Sequence, residues 1–140
     1  RREFWDMLHQ LQQKGITIFV STPYMDEALR CDRVALIQKG RIMAVDKPEA
    51  IPEKFPDKLY SIRCNEMYAL KTALEKHKSV KSVSLFGSYL HMVLKKNTRA
   101  EALEKELSEA GFHDLELQET PPGIEDSFIY LMTQQEDRND

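Results

Sequence analysis

The sequence predicts a mixed α/β fold made of two consecutive units, residues 1–57 and 58–140. Two patterns support this prediction. In the first unit, an amphipathic helix leads directly into a run of β-branched and aromatic residues, which is typical of a strand buried in a parallel sheet. In the second unit, strand and helix patterns alternate in the order βαββαβ, and one more helix follows.

The first unit begins with a predicted helix over residues 2–14, which Gly15 ends because glycine adopts the positive φ of a helix C-cap. Residues 16–20 read Ile-Thr-Ile-Phe-Val and predict the buried strand. The apolar positions at helical spacing are Phe4, Trp5, Leu8 and Leu11.

A short helix and a hairpin are predicted next. Residues 21–23 read Ser-Thr-Pro and break the strand, and a helix with two acids in its first turn is expected to end near Cys31. Residues 32–38 and 41–45 alternate as two strands, and Gly40 supplies the turn between them.

A proline-rich segment separates the two units. Pro48, Pro52 and Pro56 are interspersed with five charged residues, a composition typical of a linker or a short helix. The sequence therefore places the boundary near residues 56–58.

The second unit shows a regular alternation of strand and helix patterns. The order βαββαβ is that of the split βαβ, or ferredoxin-like, fold, in which two helices cover one face of a four-stranded antiparallel sheet. A terminal helix follows a Pro-Pro-Gly break. The predicted strands are 59–64, 80–86, 89–94 and one containing Leu115 and Leu117, and the predicted helices are 67–74, 100–107 and 124–132.

Composition and charge exclude several classes of protein. The chain is 41% hydrophobic with a formal net charge of −3, ordinary values for a globular protein that lower the expectation of nucleic-acid binding. Its apolar runs fall far short of the roughly 20 residues of a membrane helix, so any membrane role is expected to be peripheral. No export signal is seen at the start, so Cys31 and Cys64 are expected to be free thiols in a reducing cytosol.

No complete active site is evident in these residues. The sequence has no Gly-rich phosphate-binding loop of either common type. The histidines match no metal-binding spacing, so a structural or solvated role is expected for each of them. They are His9, His77, His91 and His113.

Four sequence blocks between positions 14 and 42 carry a family resemblance. In order, spacing and residue type, the stretch from the first helix through Pro48 resembles the C-terminal end of an ABC transporter ATP-binding subunit. In that family a helix leads into a buried strand that ends in the switch loop, and a short helix and a hairpin follow. The blocks are Lys14-Gly15-Ile16-Thr17-Ile18-Phe19-Val20-Ser21-Thr22, Tyr24-Met25-Asp26-Glu27-Ala28, Cys31-Asp32-Arg33-Val34-Ala35-Leu36-Ile37 and Lys39-Gly40-Arg41-Ile42.

The resemblance implies that this chain is the closing part of a longer protein. The family's phosphate loop, signature motif and catalytic carboxylate lie upstream of the position that matches Arg1, where this sequence begins without Met. ATP and Mg²⁺ are therefore expected as cofactors of the parent, an ATP hydrolase, and neither cofactor nor catalysis is expected of the fragment alone. The implied partners are a membrane permease and a second ATPase domain in a dimer, with no nucleic acid. The implied location is cytoplasmic, peripheral to the inner face of the cell membrane.

The departure from the family pattern falls in the switch loop. Most family members have Thr-His there, and the resemblance gives that histidine a contact with the γ-phosphate of ATP; this chain has Thr22-Pro23. Proline has neither an imidazole nor a backbone N–H, so it donates no hydrogen bond. Two interpretations stay open: Pro23 marks a degenerate site, or it merely ends the strand while other groups perform the chemistry. The neighbouring hydroxyls of Thr22 and Tyr24 are candidate replacements, although local packing at the end of the strand is the better explanation of both residues.

The second unit extends the resemblance. Some exporter ATPase subunits carry a C-terminal extension ending in Pro-x-x-Glu-Asp-x-Phe, and residues 122–128 fit that pattern. We expect a regulatory or dimer-contacting role for this unit. The alternative is a free-standing ferredoxin-like module that senses a ligand or binds a protein. An RNA-binding sheet is disfavoured because residues 85–89 lack the basic flank of such motifs.

Overall fold

The first helix, α1 (Arg2–Gln13), forms as its apolar spacing predicts in the computed structural model, which describes residues 2–139. Trp5 is its buried residue, and Gly15 follows the helix with a φ of 89°. A single helical turn, α2 (Met25–Ala28), comes next. The predicted amphipathic helix with a glycine at its end is therefore confirmed.

The strand predicted over residues 16–20 is wrong for this structure. The segment is extended but belongs to neither sheet, and the side chain of Phe19 is 93% exposed. A strand satisfies its backbone N–H and C=O groups through neighbouring strands, and no strand within residues 2–139 lies beside this one. No parallel sheet is found in the described chain, whose strands all pair antiparallel.

The predicted hairpin is confirmed as β1 (Val34–Gln38) and β2 (Arg41–Asp46). Lys39 and Gly40 occupy the turn with φ values of 51° and 75°. Positive φ at both central positions matches the right-handed twist of the two strands and suits this tight turn.

A second set of elements follows: β3 (Leu59–Arg63), α3 (Met67–Lys76), β4 (Val80–Phe86), β5 (Tyr89–Leu94), α4 (Ala100–Glu109) and β6 (Glu116–Thr120). The second sheet has four strands in the order β4-β5-β3-β6, with every neighbouring pair antiparallel. Helices α3 and α4 connect these strands in the predicted order. Their leucines pack with Ile62, Leu90 and Met92 of the sheet in one buried cluster, so both helices cover the same face. The terminal helix is α5 (Ile124–Asn139).

A second buried cluster joins the hairpin to the terminal helix α5. It contains Val34 and Leu36 of β1, Ile51 from the proline-rich segment, and Ile124 of α5. Two 3₁₀ turns flank Ile51 and hold its side chain fully buried. The terminal helix therefore packs against residues that precede position 57, and the division into 1–57 and 58–140 stays a prediction.

Candidate functional site

The position that the sequence predicts as a switch loop, Thr22-Pro23, lies in a tight turn between segment 16–20 and α2. The backbone N–H of Tyr24 donates a hydrogen bond to Oγ1 of Thr22 across a distance of 3.1 Å, and Pro23 lies exposed between these residues. This side-chain turn is a common way for threonine to fold the backbone. The sequence-predicted residues are therefore brought together in one turn that projects toward solvent.

The turn is held in place by the start of α2. The carbonyl oxygen of Tyr24 accepts hydrogen bonds from the backbone N–H groups of Glu27 and Ala28 at 3.1 and 3.3 Å. A side-chain hydrogen bond between Gln12 and Asp32 ties α1 to the chain that leads into β1. The turn is thus supported on both sides, although its own side chains stay accessible.

The chemistry available at the turn is limited to hydroxyl groups. Thr22 uses an oxygen lone pair to accept from Tyr24, and its O–H remains able to donate elsewhere. Pro23 contributes no donor. Among residues 2–139, no three side chains of His, Cys, Asp or Glu are grouped to hold a metal ion.

Cys31, just after α2, is a weak nucleophile. Partial burial raises the pKa of its thiol above the usual value, and the nearby carboxylates of Asp32 and Glu27 raise it further. Its Sγ also lies 3.6 Å from the carbonyl oxygen of Glu27. Because the thiolate is the reactive form, Cys31 offers little nucleophilic chemistry at neutral pH.

A buried contact that the sequence did not reveal joins the sheet to α5. The Nδ1 atom of His91 lies 2.8 Å from Oδ1 of Asp126, whose side chain is almost fully buried. The other oxygen of Asp126 accepts the backbone N–H of Gly123 at 2.8 Å, as the third helical residue does in a capping box. Phe86 stacks on the imidazole with 4.4 Å between ring centroids. A carboxylate only accepts hydrogen bonds, so Nδ1 carries the proton.

A second histidine, His77, has the opposite tautomer and also makes contacts that hold neighbouring elements together. The backbone N–H of Ser79 donates to Nδ1 of His77 at 3.0 Å, so the proton lies on Nε2. That Nε2 is 3.0 Å from Oε1 of Glu106, which links α4 to the end of α3. Both contacts fit the structural role expected of this histidine.

The chain is related to ABC transporter ATP-binding proteins over nearly its whole length. It is 31% identical over 94% of its length to the probable multidrug ABC transporter ATP-binding protein YbhF of Escherichia coli. Over 97% of its length it is 32% identical to ATP-binding cassette sub-family A member 17 of Mus musculus. Over 94% it is 29% identical to Nod factor export ATP-binding protein I of Rhizobium sp. strain N33. No protein-family model matches the chain.

These relatives are much longer than the chain. The matched region spans 23% of the Escherichia coli protein, 8% of the mouse protein and 41% of the Rhizobium protein. The chain therefore spans less than half the length of each of these relatives. None of the helices within residues 2–139 has the length and apolar character needed to cross a bilayer.

Proposed function

We propose that this chain forms the C-terminal part of an ABC transporter ATP-binding subunit, which couples ATP binding and hydrolysis to export through a membrane permease. The observation that carries the proposal is the similarity to such proteins along both predicted units, covering 94% of the chain. Cytoplasmic location at the inner membrane face, and pairing with a second ATPase domain, belong to the same proposal.

The unpaired segment 16–20 supports this function. It has the composition of a buried strand, yet Ile16 is 48% exposed and Phe19 is 93% exposed. Two large apolar side chains are thus exposed on one short extended segment, as expected where another part of a protein packs. In the proposed subunit, the segment pairs with strands contributed by residues that precede Arg1, as the family resemblance implies.

A direct test is the gene sequence that precedes the codon for Arg1. The proposal requires an open reading frame that encodes a Gly-rich phosphate loop and an ABC signature motif within about 200 residues, since nucleotide phosphates are bound by such loops. A start codon immediately before Arg1 contradicts the proposal and favours the free-standing module.

In the proposed subunit, ATP and Mg²⁺ bind residues outside this chain, and Pro23 lies at the switch position near the γ-phosphate. Phosphoryl transfer depends on positioned donors and electrostatic stabilisation. A switch loop with no imidazole lacks one such donor. We therefore infer slow ATP hydrolysis with nucleotide binding retained.

The Pro23→His variant of the full-length subunit is expected to hydrolyse ATP about tenfold faster or more, because one well-placed donor contributes at least that factor to such reactions. Steady-state phosphate release measures the effect. Pro23→Ala is the control, since it removes the ring without adding a donor and should leave the rate near that of the parent. Equal rates in all three proteins would mean that other groups already perform the work of the histidine.

We also propose that residues 58–140 form a ferredoxin-like accessory unit with a regulatory or dimer-contacting role. The sheet order β4-β5-β3-β6 with both helices on one face supports this arrangement. Because α5 packs on the hairpin, the test replaces residues 59–120 with a flexible Gly/Ser linker and keeps α5 attached. We expect weaker dimerisation in sedimentation or altered ATPase regulation in the full-length subunit. Unchanged behaviour in both measurements would refute this role.

A further inference from the structure

The four-stranded sheet ends on one side at β4, which is bonded to β5 alone. No strand among residues 2–139 pairs with the outer side of β4. An edge strand leaves every second backbone N–H and C=O group without a partner in the sheet, and these groups can pair with another strand. At seven residues, β4 is the longest of the described strands, so it presents the longest free edge of this sheet.

The hairpin that joins β4 to β5 shows which backbone groups point outward. The partners Phe86 and Tyr89 flank a two-residue turn. In such a hairpin the flanking residues exchange both backbone hydrogen bonds, and only every second residue beyond them does so again. Ser84 therefore bonds toward β5, and the N–H and C=O groups of Val83 and Leu85 point away from the sheet.

The side chains of these two residues lie on the face that the helices cover. Val83 packs against the buried cluster beneath α3 and α4. Leu85 follows two positions later on the same face, and its side chain is 59% exposed. Beyond position 57 of the described chain, the large hydrophobic residues that are exposed are Leu85 and Tyr68. A strand that pairs with β4 would cover Leu85.

The two edges of the sheet differ in charge and in proline content. β4 contains no acid and no proline, and the Nζ atom of its lysine, Lys81, lies 3.0 Å from Oδ2 of Asp57. β6 contains Glu116 and Glu119, and two prolines follow it. Charges and prolines protect edge strands from pairing, because like charges repel and proline lacks the backbone N–H. β4 is therefore the less protected edge.

A bulge limits the register in which two copies of β4 fit together. The pairing of β4 with β5 shifts between Val80 and Ser82, so the regular part of the edge runs over residues 82–86. Ser84 is the centre of that part. Antiparallel pairing about Ser84 places Val83 of each copy opposite Leu85 of the other. No two charged side chains come opposite each other in this register.

We propose that β4 pairs with β4 of a second copy of this chain, antiparallel and about a two-fold axis at Ser84. The N–H and C=O groups of Val83 in each copy exchange hydrogen bonds with those of Leu85 in the other, and the exposed side chain of Leu85 packs against Val83. The two sheets become one continuous sheet. This pairing rests on the dimer-contacting role proposed above and names the strand that performs it.

The size of the contact determines how strong the association is. A pairing over five residues is small beside the roughly 1,200–2,000 Å² buried in a stable interface, so we expect the isolated chain to dimerise weakly. In the proposed subunit, a dimer of ATPase domains raises the effective concentration of one β4 near the other. The same strand pairing would then form at much lower protein concentration.

A disulfide tests the register, because two cysteines are bridged only when their Cα atoms lie within about 7 Å of each other. The pair at the two-fold axis makes no backbone hydrogen bonds, and such pairs have Cα atoms about 4.5 Å apart. Ser84→Cys should therefore give a disulfide-linked dimer on air oxidation of the full chain. The background is Cys31→Ser, which removes the partly exposed thiol.

Ser82→Cys in the same background is the control, because residue 82 of one copy lies opposite residue 86 of the other and far from its own equivalent. We expect little linked dimer from this variant. No linked dimer from Ser84→Cys, or equal amounts from the two variants, would overturn the proposal.

Sedimentation velocity over a concentration series that reaches the millimolar range measures the association itself. We expect a concentration-dependent dimer of the full chain. Leu85→Lys should weaken it about tenfold or more, because a charged residue on an edge strand opposes pairing. Gln118→Lys makes the same change in charge at an exposed position of β6 and should leave the dimer unchanged.

A monomer at every concentration, an unchanged dimer in Leu85→Lys, or loss of the dimer in Gln118→Lys would each overturn the pairing through β4. These measurements need no nucleotide site. The gene sequence before the codon for Arg1 tests the proposed transporter subunit separately, so a failure of one proposal is distinguishable from a failure of the other.

Discussion

Ile51→Ala is expected to lower the free energy of unfolding by about 2–5 kcal/mol, because it leaves a cavity in a site that is fully buried. Ile51 packs with Val34, Leu36 and Ile124, which come from the hairpin and the terminal helix. Its loss therefore loosens the contact between elements far apart in the sequence. Urea unfolding followed by Trp5 fluorescence and by circular dichroism measures the change.

The matched control is Ile42→Ala on the same part of the chain. Ile42 is 64% exposed, and exposed substitutions usually change stability by no more than about 0.5 kcal/mol. Similar losses in the two variants would show that Ile51 has no special role in the core. A small loss in Ile51→Ala would mean that the proline-rich segment behaves as a simple linker.

Asp126→Ala is expected to cost about 2–3 kcal/mol, because a hydrogen bond involving a charged group contributes about 1.5–3 kcal/mol and the helix cap is lost as well. The carboxylate accepts from Gly123 and contacts His91, and both distances are 2.8 Å. Removing it leaves the imidazole N–H without this partner and frees the start of α5. Thermal and urea unfolding provide the measurement.

Glu125→Ala is the control, because Glu125 is an exposed acid that immediately precedes Asp126 in the same helical turn. It makes the same change in helix propensity and charge without removing a buried contact. A double-mutant cycle with His91→Ala isolates the pair, because residues in contact give non-additive changes in stability. We expect a coupling of about 1–2 kcal/mol between Asp126 and His91. Strictly additive effects would show that the contact contributes nothing beyond the cap.

Local patterns predicted most elements of the second unit. Strands β4 and β5 were predicted over 80–86 and 89–94, and the structure has Val80–Phe86 and Tyr89–Leu94. Alternating burial and a glycine turn are signals carried by adjacent residues, so sequence alone locates them. The helices at 67–76 and 100–109 follow in the same way from leucines at helical spacing.

The long-range contacts had no comparable signal. Asp126 is part of the predicted Pro-x-x-Glu-Asp-x-Phe pattern, and nothing in that pattern indicates that its side chain is buried against His91, which lies 35 positions earlier. The burial of Trp5, whose Nε1 has no hydrogen-bond partner among residues 2–139, is likewise not indicated by the resemblance to transporter subunits. The role of Pro23 as a switch-loop residue stays a prediction, because it concerns a phosphate contact outside this chain.

The sequence by itself determined the order of the helices and strands after residue 58 and the bounds of β4 and β5, because those features depend on side-chain period and turn chemistry within a few residues. The last strand was predicted to contain Leu115 but begins at Glu116, and the terminal helix continues beyond the predicted residue 132 to Asn139. Only the tertiary structure decided that residues 16–20 stay unpaired, since the hydrogen bonds of a strand are made with a neighbour and not within the segment. The tertiary structure also decided that α5 packs against the β1–β2 hairpin in a buried cluster and contacts the four-stranded sheet through Asp126. The burial of a side chain and the pairing of a strand depend on contacts between residues far apart in the sequence, and local sequence patterns do not indicate which of these contacts form.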